Sequence, residues 1–117
     1  MQVADQAESK RANPRTPTWL QYAADPAKMV SFCNSAGIGD ALETAVLLVQ
    51  KHLCPISQLA VSIRIDPEHG DQFIVIHVTT RLTSDAAPEA FENLTRELVT
   101  LVEREKRKQF SVYYTVT

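Results

Sequence analysis

The sequence predicts a small two-layer α+β domain. Three observations point there. Two apolar runs rich in β-branched residues, Leu59–Ile65 and Phe73–Thr79, flank a short connector of turn-forming residues. Three amphipathic stretches carry apolar residues at helical spacing. A final segment, Phe110–Val116, alternates again with the period of a strand. The resulting order is α-α-β-β-α-β, a three-stranded sheet with helices packed on one face.

At 117 residues the chain has room for one domain with a modest core. Met1–Thr18 is polar and has no apolar period, so it is read as an N-terminal tail ahead of a single domain over residues 19–117. A hydrophobic fraction of 44% with 22% charged residues is ordinary for a globular chain. The net charge of −2 argues against a nucleic-acid partner, whose usual signature is a basic face. No run of about 18 apolar residues exists, and the start of the chain lacks the apolar core of a signal peptide, so the expected setting is the cytoplasm, without a membrane. Two cysteines, Cys33 and Cys54, are too few for a disulfide framework and read as buried or half-buried thiols.

Trp19, Leu20 and Tyr22 open the apolar content. Asp25-Pro26 has the form of a helix cap with proline at the first helical position, and Gly37 supplies a stop, so Ala27–Ala36 reads as a helix of about three turns. Met29–Cys33 also tolerates a strand, and the agreement of the two end signals favours the helix. Asp40-Ala-Leu-Glu43 has the spacing of a capping box, which predicts a second helix running to about Leu53. Its apolar stripe is Leu42, Ala45, Val46, Val49 and Leu53, and Pro55 follows its end.

The hairpin organises what remains. Asp66-Pro67 and Gly70 fit a type I turn followed by a left-handed position. Val61, Ile63, Ile65, Ile74, Ile76 and Val78 form the expected core face, whose burial contributes roughly 9–18 kcal/mol before chain entropy is subtracted. A bare hairpin cannot bury this face alone, so helices must cover it. Thr83-Ser84-Asp85 opens the third helix, with Pro88 tolerated in its first turn. Ala87, Phe91, Leu94, Leu98, Leu101 and Val102 make its stripe. Extended to Lys108, that helix spans about 35 Å, longer than a strand of about 25 Å, so Glu103–Lys108 should overhang the sheet. The last strand then lies either beside the second and parallel to it, or beyond the first and antiparallel.

The chemistry-bearing clusters have ordinary structural explanations. Asp66, Glu68, His69 and Asp71 crowd one loop, but their spacing fits no calcium or zinc motif and turn chemistry accounts for most of them. His52 and Cys54, with Cys33 far off, lack the paired spacing of a zinc site, and a cationic His suits a helix C-terminus. Neither a Gly-rich phosphate loop nor a Gly-x-Ser-x-Gly elbow occurs, so no catalytic residue, metal ligand or cofactor is assigned. A winged-helix comparison fails on its recognition helix, which offers only Gln50 and Lys51 at its end. The basic run Arg104, Lys106, Arg107 and Lys108 is diluted by Glu103 and Glu105 and reads as a solvated helix end.

One surface resists such an explanation. If every helix packs on the Ile74/Ile76/Val78 side, then Arg64, Phe73, Val75, His77 and Tyr113 share the opposite face of the sheet with more apolar area than a monomer usually exposes. That face is either covered by the Trp19–Tyr22 segment or offered to a second copy or another protein. The leading expectation is a non-enzymatic interaction or regulatory module acting as a homodimer. The alternative is a small enzyme or ligand-binding domain with a pocket near the hairpin turn, using His69 or His77. A nucleic-acid-associated protein using the basic helix end comes third.

Overall fold

The structure is a computed structural model that describes residues 16–117. Most of the predicted polar tail, residues 1–15, lies outside the described residues. The chain enters through a 3-10 turn, Thr18–Tyr22, and then forms α1 over Pro26–Ala36. Asp25 caps α1 by accepting the backbone N–H of Lys28 at 3.2 Å, with Pro26 at the first helical position. Gly37 closes the helix at φ 68°, a left-handed conformation that a residue with a Cβ adopts only at a cost, and its N–H donates to the Cys33 carbonyl. The helix wins over the strand across Met29–Cys33 because both of its ends are satisfied.

α2 spans Gly39–Leu53 at a bend of 120° from α1. The capping box does not form. Ile38 occupies the cap position with no side-chain cap, and Asp40 sits inside the first turn, where its charge faces the positive end of the helix dipole. Glu43 is engaged elsewhere: its Oε1 accepts the backbone N–H of Trp19 at 3.3 Å. Burial of Ile38, only 1% exposed, sets where this helix begins, and packing overrides the capping motif. The expected stripe of Leu42, Ala45, Val46, Val49 and Leu53 is buried throughout.

β1 (Ile56–Ile65) and β2 (Gln72–Thr80) form the antiparallel hairpin, with Val61 opposite Ile76 and Ile63 opposite Ile74. Gly70 takes φ 74° in the connector, and its N–H donates to the Asp66 carbonyl at 2.8 Å. Thr80 is fully buried at the far end. Its hydroxyl donates to the Leu53 carbonyl at 2.6 Å and accepts from the Leu82 N–H at 3.1 Å, which ties β2 to the end of α2. The predicted core face needs one correction. Val61, Ile74, Ile76 and Val78 are buried and Ile63 is half-buried, but Ile65 is 63% exposed. Ile65 ends an outer strand beside the loop, where the helix layer no longer covers it.

α3 covers Ala86–Leu101 and buries Ala87, Leu94 and Leu98. Thr83 starts it by accepting the Ala86 N–H on its hydroxyl at 3.1 Å. The predicted overhang is absent. Leu101 is 58% exposed, and Val102 leaves the helix with φ −121° and ψ 127°, buried at 5% exposure. An extended Val102 turns the chain back toward the sheet, through the single turn α4 (Arg104–Arg107), into β3 (Phe110–Val116). Burying Val102 and Phe110 outweighs the hydrogen bonds that a longer helix would have kept.

The sheet order is β1-β2-β3, with β3 parallel to β2, so the strand order left open by the sequence resolves to the nearer placement. The architecture is the expected α+β two-layer domain. Helices α1, α2 and α3 bury one common core against Val61, Ile74, Ile76 and Val78. Among the described residues no single helix is long and apolar enough to cross a membrane.

Candidate functional site

Strand alternation fixes what the second face of the sheet carries. In register across β1, β2 and β3, Ala60, His77 and Tyr113 form one row and Ser62, Val75 and Ser111 the next. Arg64 and Phe73 lie opposite each other beyond them. Together they shape an open hollow of about 600 Å³ whose lining includes Arg64, Phe73, Val75, His77 and Tyr113, every residue the sequence nominates for a contact face. Val75 forms its floor at only 6% exposure, because it lies on the central strand between two serines with Phe73 and His77 on either side along the chain. Tyr113 stands 54% exposed on outer strand β3. The His77 ring is held by a hydrogen bond of 2.9 Å between Nε2 and the Thr115 hydroxyl. Among the described residues Arg64 is the one permanently charged group lining the hollow, and no carboxylate lines it.

The rival explanation, cover by the aromatic N-terminal segment, does not hold for the described residues. Trp19 is 3% exposed within the helix-side core, and the Tyr22 hydroxyl accepts from Gln50 Nε2 on α2 at 2.9 Å. Ala24 donates its N–H to the Val61 carbonyl at 2.9 Å, so the segment follows the outer edge of β1. Trp19 and Tyr22 therefore close the helix layer, not the open face.

The other nominated residues are dispersed. His69 Nδ1 lies 3.2 Å from Asp66 Oδ2 on the hairpin loop, with a side chain 68% exposed. The same carboxylate accepts the Glu68 N–H at 2.8 Å. That backbone donor and then His69 hold the Asp66 carboxyl below its ordinary range. His69 does not line the hollow, so the predicted pocket near the turn contains His77 alone of the two histidines. His52 Nε2 meets Glu97 Oε1 at 2.6 Å, and Lys51 Nζ reaches the same carboxylate at 3.0 Å, which joins the end of α2 to α3. These two partners, His52 first, hold the Glu97 carboxyl below its usual value. Each histidine thus lacks one element of an acid–base site. Among the described residues His77 has a cavity without a carboxylate, His69 has a carboxylate outside the cavity, and the His52 pair is taken up in joining two helices.

Cys33 and Cys54 stay apart in kind as well as position. Burial pushes the Cys33 thiol up to about 11, whereas Cys54 is exposed past the end of α2. No group of three or more metal-ligating side chains occurs among the described residues. Gln50 and Lys51, the only base-reading candidates on α2, are bound to Tyr22 and Glu97 within the chain. Two of the four cations at the basic end are also engaged: Arg107 Nε donates to the Val102 carbonyl at 2.9 Å, and Lys108 pairs with Glu105 at 3.5 Å.

No protein-family model, no curated protein and no solved structure matches this chain. Function is therefore argued from the surface itself.

Sequence reasoning missed two features of that surface. Thr115 as the partner of His77 follows from the parallel pairing of β3 with β2, and the strand order needed to see it was open. The depth of Val75 depends on its being in the central strand, which alternation alone does not reveal.

Proposed function

We propose that the protein is a non-enzymatic interaction or regulatory module that acts as a homodimer through the open face of its sheet. Arg64, Phe73, Val75, His77 and Tyr113 form the contact, with Phe73 and Tyr113 as anchors. The observation that carries this reading is the aromatic hollow on the side of the sheet opposite the helices, uncovered by the Trp19–Tyr22 segment.

Two such faces suit each other. A buried apolar floor flanked by serines and aromatic rings can be stacked against its own copy without burying a carboxylate of the described lining. Sheets packed in this way interleave their side chains at about 10 Å. Size limits the strength. Three strands about 4.8 Å apart and about 30 Å long give a footprint of roughly 400 Å², below the roughly 800 Å² of accessible area that each partner gives up in a standard complex. The expected affinity is micromolar. A cytoplasmic setting, in which Cys33 and Cys54 stay reduced, accords with their separation.

Light scattering between about 1 and 100 μM tests the reading. A dimer forming across that range supports it. A monomer at every concentration overturns it.

A further inference from the structure

We infer that the outer edge of β3 binds an extended peptide strand with apolar side chains at alternate positions and an acidic C-terminal end. This goes beyond the homodimer and does not rest on it, since it concerns the rim of the sheet and not its open face.

The two outer strands of the sheet are finished differently. β1 carries the devices that keep a strand edge from pairing. Ala24 donates its N–H to the Val61 carbonyl at 2.9 Å, Pro55 precedes the strand, its register with β2 slips between Ile56 and Gln58, and Arg64 lies within it. β3 has none of these. Phe110–Val116 holds no charged residue, proline or glycine, and it pairs with β2 without a register break. Ile74 donates to the Gln109 carbonyl at one end of that pairing, and Thr117 to the Thr80 carbonyl at the other. The parallel pattern therefore assigns Ser111, Tyr113 and Thr115 to the bonds with β2. Phe110, Val112, Tyr114 and Val116 turn their N–H and C=O groups outward, and nothing among the described residues bonds to them.

Phe91 joins this edge to a hollow. Its ring lies 5.0 Å from that of Tyr114, centroid to centroid, and it also lines an open hollow of about 700 Å³ on α3 with Pro88, Thr95 and Val99. Val99 is 51% exposed there, and Glu92 and Arg96 in the same lining pair with each other at 3.2 Å. Val112 and Tyr114 pack toward the helix-side core. In an added antiparallel strand, the residues opposite these two point to that same side. Main-chain bonds to the edge then supply affinity, and apolar side chains at alternate positions turn toward the α3 hollow.

Charge selects the acidic end. Directly ahead of Phe110, Arg104, Lys106, Arg107 and Lys108 outnumber Glu103 and Glu105. Arg104 and Lys106 pair with no carboxylate among the described residues. An antiparallel strand brings its C-terminal end to this excess of positive charge.

Fluorescence anisotropy of the full chain with a labelled peptide of alternating valine and threonine, ending in two glutamates, tests the inference. The dissociation constant should be about 100 μM or lower. N-methylation of the valines, whose N–H groups meet β3, should weaken binding at least about tenfold, and N-methylation of the threonines should not. Val112→Pro removes an outward N–H at a position where an edge strand tolerates proline, and it should weaken binding equally with an unchanged circular dichroism spectrum. Val99→Glu, and exchange of the probe's glutamates for lysines, should each weaken it too. A full chain that binds no probe overturns the inference, whether residues 1–15 or a second copy holds the edge. Equal effects of the two N-methylations, a folded Val112→Pro chain that binds like wild type, or equal binding of the glutamate and lysine probes also overturn it.

Discussion

Trp19 is the residue on which the helix layer closes, and it does so with one bond unmade. Its ring is 3% exposed in the core, yet its indole Nε1 has no hydrogen-bond partner among the described residues. A buried unpaired donor costs about 1–3 kcal/mol, and loss of the whole ring costs about 3–5 kcal/mol. Trp19→Phe keeps most of the packing and removes the orphan. Chemical denaturation should place it within about 1 kcal/mol of wild type, with Trp19→Ala lower by about 3 kcal/mol or more. Equal losses for the two variants would show that the indole N–H has a stabilising role. The two cysteines make a second residue-scale contrast. With its thiol pushed to about 11 by burial, Cys33 should resist alkylation at pH 8, whereas exposed Cys54 should react. A thiol titration of the native protein should count one group and a denatured sample two. Two groups in the native sample would contradict the burial of α1.

At the scale of elements, α2 and α3 are joined at one end by the Lys51–Glu97–His52 cluster. A carboxyl held below its ordinary value stabilises the folded state above that value. Its contribution is lost as pH falls through the folded value, below the ordinary 4.5. Glu97→Gln should therefore unfold at a lower temperature than wild type at pH 7, and the gap should close as the pH approaches 3. A gap that persists undiminished in acid would assign the effect to packing instead of charge. This cluster also shows where sequence reading reaches its limit. Helical and strand periods in α2, β1, β2 and β3 are local properties, so their buried faces could be read directly. The end of α3 is not local: Val102 breaks its stripe because the chain must return to start β3, and nothing within the stripe records that demand. Glu43 was misread for the same reason, since its partner, Trp19, lies far away in sequence.

For the whole molecule, two layers on a three-stranded sheet leave one side of that sheet uncovered among the described residues. The contact-face residues were legible because alternation sorts them without knowledge of the fold, and all of them converge on one hollow. Which side the Trp19–Tyr22 segment would take was not legible, because its aromatic residues could have closed either face. With that segment on the helix side, the face stays open among the described residues, and it is the surface we propose for contact with another copy. The central claim is that this face joins two copies, and Phe73→Lys tests it most directly. The substitution puts a cation at the contact on a half-buried position that the fold itself does not need closed. Measured by light scattering at about 100 μM, wild type should be a dimer and Phe73→Lys a monomer with an unchanged circular dichroism spectrum. A wild-type monomer, or a Phe73→Lys chain that remains dimeric, would contradict the account.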